Sequence, residues 1–178
     1  MILDTSKPLH YLETLSVVAA IPAFDMPTYS TIRRGFKRYK LEGNMTAIPF
    51  KRFIKAAKYY GDISTASKFI AAINDMDADF IGTFSIKKIY GLWLKYNMDF
   101  QKCIDFLKEQ QDLIVSHQKE GLYDFSEFGL KQIIKFLSGG VRSEEDLYEQ
   151  KKVITVMVDY RFKIKQTENY NYAQKQAQ

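Results

Sequence analysis

The sequence predicts an all-α protein, a compact bundle of about seven or eight helices. Apolar residues return at three- and four-residue intervals along most of the chain, and glycines, prolines and capping residues punctuate those intervals. Only segment 153–164 is rich in strand-forming residues.

Leu9, Leu12, Leu15, Val18 and Ala19 share one face of a first helix over 9–20, which the Pro22 region ends. Pro27 suits a first helical turn, so a second helix runs to about Leu41, with Gly43 past its end. A third begins near Pro49 and stops at Gly61, with Phe50, Phe53, Ile54 and Ala57 facing inward. Ser64 can cap a fourth, whose Ala66, Phe69, Ile70 and Ile73 lie on one side.

Thr83 or Ser85 opens the next helix, which carries Ile86, Ile89, Tyr90, Trp93 and Leu94 and ends at Asn97. Asp99 opens another, traced by Phe100, Cys103, Ile104, Leu107, Gln111 and Ile114. Ser126 caps a helix with Phe128, Ile133, Ile134 and Leu137 inward, closed by Gly139-Gly140. Ser143 to Asp146 forms a capping arrangement before a long final helix. Val153 to Ile164 has the composition of a strand, but a strand there finds no evident partner, so helix is favoured. Residues 1–168 make one helical domain and 169–178 a flexible polar tail.

A hydrophobic content of 46 % excludes disorder over most of the length. The single cysteine, Cys103, has no internal disulfide partner, and no Cys/His set suits a structural zinc. Its apolar neighbours make it a small buried hydrophobe. The N-terminus lacks a basic region followed by an apolar run, and Leu15–Phe24 is too short to span a bilayer. No membrane partner is expected, and the setting is cytoplasmic.

The excess positive charge is local. Arg33, Arg34, Lys37, Arg38, Lys40, Lys51, Arg52, Lys55 and Lys58 are opposed within that stretch only by Glu42. It carries +8 while the whole chain carries +5, so the rest is slightly acidic. Tyr29, Phe36, Tyr39, Phe50, Phe53, Tyr59 and Tyr60 flank or interleave it. A concentrated positive surface attracts a polyanion, and nucleic acid is the commonest in a cell. The basic helices 27–60 are therefore the expected binding face. Phe36, Phe50 and Phe53 read as core; Tyr39, Tyr59 and Tyr60 suit either packing or stacking on bases. The matched order of basic, apolar and glycine residues in 32–44 and 50–62 reads as two amphipathic helices of one design.

Thr28 to Arg34 has the residue order of a recognition helix, but Pro22 and Met26 fit the preceding half of a helix-turn-helix poorly. Asp75, Asp77 and Asp79 begin like a calcium loop, which then fails at Phe80 and Ile86. These carboxylates read instead as caps for the helix near Thr83. His10 and His117 sit in no catalytic motif, and no phosphate loop or nucleophile elbow occurs. The expectation is a non-enzymatic nucleic-acid-binding protein without a cofactor, a small regulatory or accessory factor of a bacterium, phage or mobile element. DNA is favoured over RNA. The alternative is an inhibitor or interaction module that docks an acidic surface of a host protein or nucleoprotein complex.

Overall fold

The computed structural model describes residues 31–115 and 125–176, together with Pro8. The helix expected over 9–20, the start of the second at 27–30, and both histidines lie outside the described residues. Within them the chain forms a hairpin, β1 (Thr31–Arg34) and β2 (Lys37–Lys40), then seven α-helices. These are α1 (Phe50–Ala57), α2 (Ala66–Asn74), α3 (Ala78–Gly82), α4 (Ile86–Val115), α5 (Glu127–Ser138), α6 (Arg142–Gln150) and α7 (Val153–Gln176). The fold is mostly helical, as expected, and 153–164 is helix.

The basic segment expected to be helical up to Leu41 is instead the hairpin over 31–40. Ile32 pairs with Tyr39, Arg33 with Arg38 and Arg34 with Lys37, leaving Gly35-Phe36 as a two-residue loop. Gly35 has φ 58 while Phe36 keeps a negative φ, the φ signs of a type II′ turn. That turn matches the twist of the flanking strands and calls for glycine at its first central position. The alternation buries Ile32 and half-buries Tyr39, whose ring lies 4.6 Å from that of Phe80.

Other boundaries shift for local reasons. Asp62, not Ser64, accepts from the Ser64 backbone N–H and starts a 3-10 turn at Ile63–Thr65 that leads into α2. Asp77 caps α3 by accepting from the Phe80 N–H. Asn97 and Asp99 do not interrupt α4: the Asn97 amide donates to the Trp93 carbonyl and accepts from the Gly61 N–H. The two expected helices are therefore one. Ser126 caps α5 and Gly139, at φ 65, closes it, both as expected. Ser143 lies inside α6, whose N-cap is Val141. The polar segment from Asn169 continues as helix to Gln176 rather than as loose chain.

Two helix starts satisfy each other. The Phe50 N–H, first in α1, donates to the Lys151 carbonyl at 2.8 Å, and the Val153 N–H, first in α7, donates to the Ile48 carbonyl at 3.0 Å. Each segment thus supplies one acceptor for the other helix's unpaired N-terminal donors. Behind this junction α4 packs along α7, and α1 lies against α2, α5 and α6. The core is aromatic at its centre: the Phe53 ring stacks on Phe100 at 4.1 Å, and Tyr60 stacks on the same ring at 4.7 Å.

Cys103 is buried, as its neighbours implied. Burial pushes its thiol up to about 11, with Asp99 adding to the rise and Lys102 opposing it. The raised value means that folding favours the protonated thiol. This contribution is fully present below the unfolded value of 9.0 and is lost as pH rises through about 11. Urea denaturation should show stability falling across that window, and Cys103→Ala should flatten part of the fall. An unchanged profile in the variant would assign the fall to other groups.

Candidate nucleic-acid interface

Arg33, Lys37, Arg38 and Lys40 are exposed, and none of them forms an ion pair among the described residues. The register sets Arg33 directly opposite Arg38 and Arg34 opposite Lys37. Like charges in facing positions repel and cost stability. A bound polyanion would relieve that repulsion.

Phe36 occupies the tip and corrects the core reading. Its relative exposure is 110 %, the highest among the exposed large hydrophobics described, whereas Phe50 and Phe53 are fully buried as expected. The tyrosines belong to packing. Tyr39 meets Phe80, and Tyr60 stacks on Phe100 and donates its hydroxyl to Gln101. Burial, then the charge of Asp105, raises the Tyr60 phenol above its ordinary value. Tyr59 is half-buried against the core.

The other four cations lie on α1 or at its C-terminal end and do not act alike. Lys51, Lys55 and Lys58 are exposed along one side, while Phe50, Phe53, Ile54 and Ala56 are buried on the other. Arg52 turns inward: its Nη1 donates to Glu42 and its Nη2 to Asp75, both at 3.2 Å. Those bonds commit its charge to holding α1 to the residues after β2 and after α2. Arg52 is thus paired within the fold, unlike the exposed lysines of α1.

Asn74 anchors the same junction. Its Oδ1 accepts from the Glu42 N–H at 2.7 Å and its Nδ2 donates to the Ile70 carbonyl at 2.8 Å. The Tyr96 hydroxyl donates to the Glu42 carbonyl at 2.7 Å and also lies 3.2 Å from Asn74 Oδ1. Burial drives the Tyr96 phenol well above its ordinary value. This buried polar knot fixes where the hairpin leaves the core.

Beyond the sequence-derived set, the fold adds Phe128 and Lys131. They line an open depression of about 500 Å³ with Ala57, Lys58, Ser126 and Glu127. Phe128 is exposed rather than core. Lys131 donates to Glu127 at 2.9 Å, and that hydrogen bond, with the charge of Lys131, holds the Glu127 carboxyl below its usual range. The helical period placed Phe128 on the apolar face, and no local signal linked α5 to Lys58. Among the described residues no three His, Cys, Asp or Glu side chains converge as a metal site, and no helix is long and apolar enough to cross a membrane.

In comparisons with known proteins, the chain matches no family model, no curated protein and no solved structure.

Proposed function

We propose that the protein is a non-enzymatic nucleic-acid-binding factor that grips phosphates with its basic hairpin and with Lys51, Lys55 and Lys58 beside it in sequence. The observation that carries this reading is the hairpin itself, which has five cations within ten residues and an exposed tip. A two-stranded ribbon fits the major groove of B-DNA, while the major groove of A-form RNA is too narrow to admit it. That contrast favours DNA. The factor would serve a regulatory or accessory role in a bacterium, phage or mobile element.

Polarisation binding to duplex DNA, single-stranded DNA and RNA at about 50 and 200 mM salt tests the reading, because released counterions steepen the salt dependence by about 0.9 log units per duplex phosphate neutralised. Wild type should bind in a salt-dependent way. Combining Arg33→Gln, Lys37→Gln, Arg38→Gln and Lys40→Gln should reduce affinity at least about tenfold, and the slope should flatten by about 0.9 for each phosphate that the variant no longer neutralises. Absence of salt-dependent binding by folded wild type would overturn the reading.

A protein partner has one observation of its own. Ile154, Val158 and Phe162 are exposed at four-residue spacing on α7. In that case the same cations would dock an acidic surface, and the protein would purify free of nucleic acid while retaining a single protein.

A further inference from the structure

From the hairpin geometry we infer that Phe36 is a stacking wedge and that the preferred ligand is DNA containing an unpaired base, such as a bulge, a mismatch or a single-strand–duplex junction. The inference rests on the nucleic-acid reading above and adds to it the element of DNA that is recognised.

Phe36 is held where a core residue would not be. The hairpin is anchored at Ile32 and Tyr39, and everything between them that is described is exposed. Strands rise about 3.3 Å per residue, so the tip stands about 10 Å beyond the anchoring pair. A B-DNA groove is about 8 Å deep, so a ribbon seated on the backbone brings its tip to the level of the bases. Arg33 and Arg38 pair two residues behind the tip, on the face opposite Ile32 and Tyr39, and Lys37 directly follows Phe36. Cations placed there meet phosphates on either side of the base that the ring reaches. An exposed phenylalanine inside a cationic loop gains nothing from the solvent around it, whereas a base offers it a flat apolar face.

The choice between intact duplex and unpaired base follows from magnitudes. Stacking one base on an aromatic side chain is worth about 10- to 100-fold in affinity. Opening a step of an intact duplex costs as much or more, and proteins that wedge intact DNA recover the difference by wrapping a long bent segment. A single ring on four-residue strands has little surface with which to do that. Where a base is already unpaired the opening cost has been met, and the ring keeps its full stacking gain.

The test uses the full-length protein and three DNA probes of equal length: intact duplex, the same duplex with one bulged base, and single strand. Wild type should bind the bulged probe about 10- to 100-fold more tightly than intact duplex. Phe36→Ala should lose that preference while keeping its residual duplex affinity and its salt slope. Phe36→Trp should restore the preference, and the emission it adds over the Trp93 background should be quenched by the bulged probe. Equal affinity of wild type for intact and bulged duplex, or a preference that survives Phe36→Ala, would overturn the wedge and leave phosphate binding standing. If wild type binds none of the probes, the nucleic-acid reading falls and the wedge with it. The ring is fully exposed at the tip, so circular dichroism of Phe36→Ala should match wild type.

Discussion

Phe53→Ala should destabilise the protein by about 3–5 kcal/mol, the usual cost of emptying a buried aromatic site. Phe53 is fully buried, and its ring lies 4.1 Å from Phe100 and 5.7 Å from Phe50. Removing it opens a cavity between α1 and α4. Domains are commonly stable by about 5–15 kcal/mol, so the loss is a large share of the total. Urea denaturation would read it directly, and the melting temperature should fall by about 10 °C or more. Phe53→Leu refills most of the volume and should cost much less. A loss below about 1 kcal/mol for the alanine variant would mean that this aromatic cluster is not the centre of cohesion.

Asn74→Leu should cost about 2–3 kcal/mol despite its similar size, because it strands a polar group rather than opening a void. The Glu42 N–H loses its acceptor at 2.7 Å, and the Tyr96 hydroxyl keeps only the Glu42 carbonyl. Tyr96→Phe alone should cost about 1 kcal/mol, since it removes one hydrogen bond. The double variant should be less damaging than the sum of the two, as expected for neighbours in one network. Hydrogen exchange offers a second readout: amides of Ile32 and Tyr39 should exchange faster in Asn74→Leu than in Phe36→Ala. Strict additivity with unchanged hairpin exchange would show that this knot does not hold the hairpin's exit.

The helical class is legible because core residues such as Phe69, Ile70, Ile133 and Ile134 recur at the helical period and are buried where that period puts them. The hairpin is harder to read. Ile32, Phe36 and Tyr39 fit a helical stripe, yet the same stretch is symmetric about Gly35-Phe36, with one apolar and two basic residues on each side. That symmetry, with glycine in the first central position, is a hairpin signal competing with a helix signal of similar strength. The choice between them decides whether Phe36 is buried or fully exposed. Seven of the nine candidate cations, Arg33, Lys37, Arg38, Lys40, Lys51, Lys55 and Lys58, are exposed on the hairpin, on α1 or at its C-terminal end and are free of ion pairs with described residues. Arg52 misleads in the sequence because its partners, Glu42 and Asp75, lie 10 and 23 residues away, beyond any local pattern. The long α4 reads as two helices because Asn97 and Asp99 are common helix-ending residues, and only the fold supplies the Gly61 N–H that occupies Asn97.

Among the described residues the ribbon has two strands and no interior one, so each of its rims offers backbone groups unpaired by any described strand to another ribbon that approaches. The cations that face outward from β1 and β2 keep such ribbons apart in free solution. Stripping them to alanine would remove that guard along with the proposed grip on phosphate, and the resulting chains would pair edge to edge and precipitate. Glutamine keeps the rim hydrated, which makes it the cleaner probe of charge. By the same logic a polyanion that neutralises several neighbouring molecules at once draws their ribbons together. Occupancy along a long strand should then rise more steeply with protein concentration than independent sites allow.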